Sequence, residues 1–252
     1  MDKVWERRTV CRIKSRLAEF LTQLFPQRCV LCQHTVETPL ALCPACHDRL
    51  PHNIPACHRC ALPLAEGHHD GSLCGRCVRK QPFYDYAASL FRYEDDVIAM
   101  VHQMKFSKNI TLSRSFGELL SMLYEQQVYP RYGNPDCLLP VPLHPFRLRQ
   151  RGYNQSIEIS RVLATVKQLP LELKAVVRAR RTVSQTGLNA GERQKNMRSA
   201  FRLKYNIPCR HVLIVDDVVT TGATVNELAR LLKRNGVQQV GVLSIARAPV
   251  KN

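Results

Sequence analysis

Hydrophobic positions recur with two different spacings along the last two thirds of the chain. Spacings of three and four residues predict amphipathic helices, and they fall near 97–105, 111–127, 153–168 and 224–235. Short apolar runs bounded by polar or turn residues predict buried strands, and these are CLLPVPL, LKAVVRA, HVLIVDD and VQQVGVLSIARA. Because strands and helices alternate, we predict an α/β domain whose mostly parallel sheet is flanked by helices.

The first third of the chain has a different pattern. Residues 4–25 place apolar side chains at helical spacing with basic residues between them. This predicts an amphipathic helix that packs on the rest of the protein, with attachment to a membrane surface as the alternative. Residues 29–77 show little periodicity of either kind. We therefore predict an N-terminal helix (1–28), a small module (29–80) and the α/β domain (81–252).

Eight cysteines of the small module form four Cys-x-x-Cys pairs. They are Cys29/Cys32, Cys43/Cys46, Cys57/Cys60 and Cys74/Cys77. Two such pairs supply the four thiolates of a tetrahedral zinc site, and four sulfur ligands leave no open position for catalysis. We predict two structural zinc ions in a zinc-ribbon-like module. Disulfides and redox-active pairs are the alternative chemistries, and nearby histidines are the alternative ligands: His34, His47, His58, His68 and His69.

Charge is concentrated in one part of the chain. The formal net charge is +17, and residues 142–211 hold fifteen Lys or Arg against three acids. Such a field attracts nucleic acid or a phosphorylated small molecule, and a solvated basic surface is the alternative. No apolar run is long enough for a membrane span, and no secretory leader opens the chain. We therefore expect a soluble, cytoplasmic protein.

Two adjacent carboxylates, Asp216 and Asp217, follow the apolar run HVLIV, and a short segment of small and hydroxyl residues comes next. That segment is Thr220, Thr221, Gly222, Ala223 and Thr224. Ligands of open parallel sheets bind beyond the carboxyl ends of strands, and amides at a helix N-terminus favour phosphate. The acids suit sugar hydroxyls or Mg²⁺, so a ribose 5-phosphate satisfies both halves. A nucleotide-hydrolase strand is the competing interpretation, but the chain lacks a Gly-x-x-x-x-Gly-Lys-Ser/Thr loop.

The stretch VLIVDDVVTTGAT resembles the phosphoribosyl pyrophosphate (PRPP) signature of type I phosphoribosyltransferases. Together with the four cysteine pairs, VPLHPFRLRQRGYNQS and RARRTVSQTGLNAGERQKNM, it is similar to the ComF/GntX family of competence-associated phosphoribosyltransferase-like proteins. The resemblance covers nearly the whole chain. It implies a type I phosphoribosyltransferase fold with an N-terminal zinc module, PRPP bound with Mg²⁺, and a role in the uptake or use of imported DNA.

The resemblance also implies further contacts to PRPP. The turn after CLLPV would face the pyrophosphate, with four basic side chains beside it: His144, Arg147, Arg149 and Arg151. The polar tract 179–200 would close over the substrate, with Gln185, Arg193 and Asn196 as its contacts. For the arginines, plain surface charge is the alternative.

Two functions remain open from the residues. The chain is either a phosphoribosyltransferase of undetermined acceptor or a single-stranded-DNA-binding accessory protein with a non-catalytic phosphoribosyl site. The acidic pair and the threonine-rich segment favour the first. The charge of residues 142–211 and the zinc module favour the second. The resemblance suggests DNA-uptake helicases and recombination mediators as protein partners.

Overall fold

The computed structural model describes residues 27–36, 40–69, 71–106, 110–179 and 200–249. The chain divides into two compact units, Met1–Asp48 and Arg49–Asn252. The helix predicted at 4–25 lies outside the described residues, and the predicted domain boundaries stay predictions. Within the described ranges, no helix is both long and apolar enough to cross a membrane.

The first unit carries the first four cysteines of the small module. Strands β1 (Gln27–Arg28) and β2 (Thr35–Val36) pair antiparallel, and the turn between them holds Cys29 and Cys32. The turn is closed by a hydrogen bond from the Gln33 amide to the Cys29 carbonyl. Cys43 precedes the short helix α1 (Pro44–Arg49), and Cys46 lies within it. The tight turn and the helix start bring the two cysteine pairs together.

The second unit contains six strands and seven α-helices within the described residues. The strands are β3 (Tyr86–Arg92), β4 (Cys137–Pro140), β5 (Val176–Arg178), β6 (Phe201–Leu203), β7 (His211–Val219) and β8 (Gln239–Arg247). The helices are α2 (Gly75–Arg79), α3 (Asp95–Phe106), α4 (Ile110–Leu123), α5 (Tyr129–Tyr132), α6 (Pro145–Arg151), α7 (Gln155–Lys167) and α8 (Ala223–Arg234). A π-helical turn, Tyr124–Val128, joins α4 to α5.

Four strands form the main sheet, in the order β3-β8-β7-β4, and every neighbouring pair is parallel. This confirms the predicted α/β architecture. The strands differ in length: β4 ends at Pro140 opposite Val215, whereas β7 continues to Val219 alongside β8. Among the described residues, the carboxyl-terminal part of β7 therefore has a sheet neighbour on one side only.

A buried hydrophobic cluster lies between the sheet and helix α8. Val212 and Ile214 of β7 share one buried cluster with Leu228 of α8. Side chains alternate along a strand, so Leu213 and Val215 point to the opposite face, where we place α4 and α7. These two helices pack closely at Gly117, because a Cβ there would lie 2.5 Å from Cβ of Val162.

Some elements differ from the sequence-based predictions. The helix predicted over 111–127 changes to π geometry after Leu123, and the strand predicted over 137–143 ends at Pro140. Residues 141–144 form the connection expected after β4, and helix α6, which was not predicted, follows it directly. Pro145 occupies the first helical position, where its missing N–H has no intrahelical partner to lose.

Candidate functional site

The two predicted acids lie where β7 passes the end of β4. Oδ1 of Asp216 accepts hydrogen bonds from the Ser156 hydroxyl (3.3 Å) and from the Asp217 amide (2.9 Å). Burial raises the pKa of Asp216 well above its usual range, and the neighbouring charge of Asp217 acts in the same direction. The ionised form of such a carboxylate is costly, so it favours a cation that neutralises its charge or a sugar hydroxyl that donates a hydrogen bond to it.

A lysine forms an ion pair with one of the two acids. Nζ of Lys105 lies 2.9 Å from Oδ2 of Asp217, and both side chains are largely buried. Lys105 is near the end of α3, and the Tyr153 hydroxyl donates to the carbonyl of the preceding residue, Met104. The lysine therefore approaches the acids from a helix end that is held in place by a second segment. The sequence contained no signal for it beyond its position at the end of a predicted helix.

The arginines after β4 do not act as one group, because α6 separates them. Arg147 and Arg151 are four residues apart and share a helix face, whereas Arg149 is exposed. Burial lowers the pKa of Arg147, the nearby Arg151 charge adds to this effect, and Asp217 opposes it. His144 caps the helix, since its Nδ1 accepts from the Phe146 amide at 3.2 Å. Arg147 thus interacts electrostatically with the acidic pair.

Arg178 is a site residue that the sequence reasoning missed. It ends β5, is 7% exposed, and is electrostatically coupled to Arg147 and Asp216. Burial lowers its pKa to about 10, with Arg147 acting in the same direction and Asp216 opposing. An arginine at the end of the apolar run LKAVVRA was the available signal, because a charged residue at the carboxyl end of a buried strand suits a ligand site.

The polar tract predicted to cover the substrate starts and ends beside Arg178. Strands β5 and β6 pair antiparallel, and the Ala179 amide donates to the Ala200 carbonyl at 2.9 Å. The predicted contacts of the tract lie outside the described residues and stay predictions: Gln185, Arg193 and Asn196.

The segment Thr220–Thr224, termed the phosphate loop below, leads from β7 into α8. Gly222 is the N-cap of α8 and has a φ of +78°, a left-handed conformation that glycine adopts without a Cβ penalty. The Thr221 hydroxyl accepts from the Ala223 amide at 3.3 Å. The loop therefore places the first turn of α8, with its amides and the positive end of its dipole, beside the acidic pair.

The eight cysteines form two tetrads, Cys29/Cys32/Cys43/Cys46 and Cys57/Cys60/Cys74/Cys77. Within each tetrad all four Sγ atoms lie within 4.8 Å of one another. The Sγ atoms of Cys32 and Cys43 are 3.7 Å apart, as are those of Cys60 and Cys74. A zinc–sulfur bond of about 2.3 Å in tetrahedral geometry requires sulfur atoms about 3.8 Å apart. Both tetrads therefore fit a structural zinc ion.

The ten described cysteines are all free thiols, and the histidine alternatives are not needed. His58, for example, hydrogen-bonds the Tyr132 hydroxyl at 2.6 Å instead. Cys137 and Cys209 are isolated in the sequence, but their Sγ atoms lie only 3.3 Å apart in the structure. Their contact spans 72 residues and has no local signal.

Comparisons with known proteins agree with this geometry. Residues 20–78 match the family model of a double zinc ribbon domain, and residues 156–252 match that of a phosphoribosyl transferase domain. The chain is 30% identical to Competence protein F of Haemophilus influenzae over 90% of this chain and 100% of that protein. It is 34% identical to the DNA utilization protein YhgH of Escherichia coli K12, over 88% of this chain and 97% of that protein.

Among solved structures, the allosteric regulatory enzyme of purine biosynthesis aligns with a TM-score of 0.34 at 20% identity. The alignment covers 53% of this chain and 26% of that one, which is too weak a likeness to support a conclusion. The near full-length relatives and the two family matches are sufficient without it. The chain belongs to the ComF/GntX family of competence-associated phosphoribosyltransferase-like proteins, with a double zinc ribbon preceding its phosphoribosyltransferase domain.

Proposed function

We propose that the chain binds PRPP at the carboxyl end of β7 and transfers its phosphoribosyl group during the use of imported DNA. The observation that carries the proposal is one juxtaposition. The buried acid pair, Asp216 and Asp217, lies next to the phosphate loop and within electrostatic range of Arg147 and Arg178. PRPP has the matching order of groups: a 5-phosphate, ribose hydroxyls and a pyrophosphate.

Each side chain has a defined role in this proposal. The carboxylates of Asp216 and Asp217 accept the ribose hydroxyls, and the first-turn amides of α8 bind the 5-phosphate. Arg147 and Arg178 face the pyrophosphate, since planar guanidinium groups suit phosphate oxygens. The acidic pair also fits Mg²⁺, which when bound supplies charge neutralisation for the leaving pyrophosphate.

In the transfer step, a lone pair of the acceptor forms a bond to C1 of the ribose. The bond from C1 to the pyrophosphate oxygen breaks, its electron pair leaves with pyrophosphate, and the acceptor loses a proton to solvent. Positioning and charge stabilisation are the contributions of this site. Asp216 and Asp217 hold the ribose as positive charge develops near C1, while Arg147 and Arg178 stabilise the departing anion.

The test is calorimetric titration of PRPP with Mg²⁺ into the zinc-loaded protein. We expect micromolar to submillimolar binding by the wild type and at least a hundredfold loss in Asp216→Asn/Asp217→Asn. Asp96→Asn is the matched control, because Asp96 is an exposed acid on α3. Equal binding by the double variant, or no binding by the folded wild type, would overturn the proposal. Confirmed binding leads to a screen of acceptors that includes single-stranded DNA.

A second function, binding of single-stranded DNA, has independent support. Residues 142–211 include exposed basic side chains that do not face the acidic pair: Arg149, Lys174, Arg202, Lys204 and Arg210. The name of one relative, DNA utilization protein YhgH, connects that protein to DNA. We extend that connection to this chain as part of the proposal.

The DNA function is tested by fluorescence anisotropy with a labelled single strand over a range of NaCl concentrations. Binding to single strands weakens with salt in proportion to the number of phosphates neutralised. Changing Lys174, Arg202 and Lys204 together to alanine is expected to lower the logarithmic salt slope by about 2 and to leave PRPP binding unchanged. An unchanged slope would remove these side chains from the DNA surface, and binding that is insensitive to salt would exclude the mechanism.

A further inference from the structure

A cavity of about 380 Å³ lies along the outer edge of β3, away from the phosphoribosyl site. We term it the edge cavity. β3 is at one end of the sheet, and the preceding chain covers its edge incompletely. The Asn53 amide donates to the Leu90 carbonyl, and the Ala87 amide donates to the His58 carbonyl. Between these two contacts the segment 54–56 lines the cavity rather than closing the edge.

One wall of the edge cavity is a fixed pair of aromatic rings. Tyr86 and Tyr132 stack with their centroids 3.6 Å apart and their planes 5° from parallel. Their hydroxyls bond Nε2 of His211 (2.8 Å) and of His58 (2.6 Å) respectively. Gly241 makes room for the Tyr86 ring, because a Cβ there would lie 2.2 Å from that ring. The wall is therefore positioned before any ligand arrives.

Amide side chains supply hydrogen-bonding groups to the lining of the edge cavity. Asn53 is 4% exposed and donates from Nδ2 to the Ala61 carbonyl at 2.9 Å. Its Oδ1 is buried and has no hydrogen-bond partner in the described part of the chain. The π-helical turn adds Gln126 and Gln127 to the lining, and such turns are frequent at functional sites. A buried acceptor without a donor favours a ligand that carries an N–H or O–H group.

The basic side chains of the lining favour a ligand that also carries a negative charge. Arg131 and three histidines contribute to it, and its described residues include no aspartate or glutamate. The cavity thus combines an aromatic surface, amide groups that match the edge of a heterocyclic base, and a basic rim. Its volume lies within the usual range for small-molecule sites.

We propose that the edge cavity binds one nucleotide, with the base against Tyr132 and the amide groups and the phosphate toward Arg131. The nucleotide is either free or part of a single strand. This site is separate from the PRPP site, and its existence does not depend on phosphoribosyl transfer. In the sheet it lies two strands from Asp216, since Ser89 pairs with Ser244 and Ser244 with Asp216.

The test measures binding of the four deoxynucleoside monophosphates, a phosphorylated oligothymidylate and inorganic phosphate to the full-length, zinc-loaded protein by equilibrium dialysis. Arg131→Ala is expected to weaken nucleotide binding about tenfold. Gln127→Ala is expected to change the order of base preference. Arg114→Ala is the matched control, an exposed arginine on α4 outside the lining, and should bind as the wild type does.

The outcomes distinguish a free nucleotide from a single strand, and the edge cavity from the PRPP site. Binding of monophosphates identifies a free nucleotide, whereas Arg131-sensitive binding of the oligonucleotide alone identifies a strand; both support the site. Asp216→Asn/Asp217→Asn should keep this binding, so failure of the PRPP proposal leaves it intact. Equal affinity for inorganic phosphate and nucleotides would reduce the cavity to an anion site and overturn the proposal. Nucleotide binding that does not respond to Arg131→Ala would overturn it too.

Discussion

Nε of Arg247 donates a hydrogen bond to the carbonyl oxygen of Cys60, 2.9 Å away. Cys60 belongs to the second tetrad, and Arg247 ends β8. The same guanidinium donates from Nη1 to the carbonyls of Val219 (3.0 Å) and Thr220, at the start of the phosphate loop. Arg247 is 2% exposed. One buried cation therefore connects the backbone of a metal ligand with the backbone of the predicted phosphate site.

Replacing Arg247 by lysine should loosen the phosphate loop. Lysine keeps the charge but cannot direct planar N–H groups to carbonyls on both sides. We expect the free energy of unfolding to fall by about 2–4 kcal/mol and the Kd for PRPP to rise at least tenfold. Urea unfolding and calorimetry measure the two effects. Arg210→Lys, an exposed change, is the control, and equal behaviour of the two variants would show that Arg247 does not position the loop.

The two metal sites should differ in their effect on PRPP binding. The second tetrad shares its buried cluster with Tyr84, whose hydroxyl lies beside Gly222 of the phosphate loop. Cys74→Ser and Cys43→Ser are each expected to lower the zinc content from about two to about one equivalent. We expect a lower PRPP affinity in Cys74→Ser and an unchanged affinity in Cys43→Ser, measured by metal analysis and calorimetry on the same samples. Equal losses in both variants would contradict this coupling.

Asp216 should make the ligand-free protein less stable as pH rises. Burial raises its pKa from 3.8 to about 7, so the folded state holds the proton more tightly than the unfolded state. The free energy of unfolding therefore falls between about pH 4 and pH 7, as the unfolded chain loses this proton first. Asp216→Asn removes the effect, and we expect it to be more stable than the wild type by about 1–3 kcal/mol at pH 8.

Chemical denaturation at pH 5 and pH 8 tests whether the free energy of unfolding falls as pH rises. The advantage of Asp216→Asn should be smaller at pH 5, while the variant loses PRPP affinity at both pH values. Asp96→Asn again serves as the control. A variant that is less stable than the wild type at pH 8 would mean that the carboxylate is compensated by its surroundings.

Gly222 should contribute to stability through its backbone conformation and to PRPP binding through its position in the phosphate loop. Gly222 and Gly236 both have a positive φ, +78° and +92°; Gly222 is the N-cap of α8, and Gly236 follows its C-cap Asn235. Alanine at either position is expected to cost about 1 kcal/mol of stability through backbone strain. The Kd for PRPP should rise at least tenfold in Gly222→Ala alone, since Gly236 lies at the far end of the helix. Similar PRPP affinities in the two variants would exclude a role for the loop conformation.

The parts of the site that are predictable from sequence are local in the chain. Asp216, Asp217 and the phosphate loop occupy nine consecutive residues, so an apolar run, two acids and a helix start suffice to place them. The cysteine tetrads are similar, because each consists of two short motifs that are ten or thirteen residues apart. In these cases backbone geometry over one or two turns determines which side chains meet.

The cations around the acids and at the start of the phosphate loop could not be predicted in the same way. Lys105 arrives from α3, Arg178 from the end of β5 and Arg247 from the end of β8, so their meeting depends on packing between distant segments. Arg147 is half-buried and Arg149 is exposed because both lie in helix α6. Residues two apart lie on opposite sides of a helix, whereas in an extended segment they lie on the same side. The sequence around Pro142 and Pro145 predicted the turn, but not the helix that begins at Pro145 directly after it.

The short length of β4 has a consequence for the backbone groups of the site. The Asp217 amide would point toward β4 if that strand continued, because Val215 pairs on that side through the Val141 amide and direction repeats every two residues. It donates instead to Oδ1 of Asp216. Lengthening β4 by two residues would pair the Asp217 amide within the sheet and remove it from Oδ1 of Asp216. A longer sheet edge and a ligand site therefore require the same backbone groups, and β4 ends before it reaches the acids.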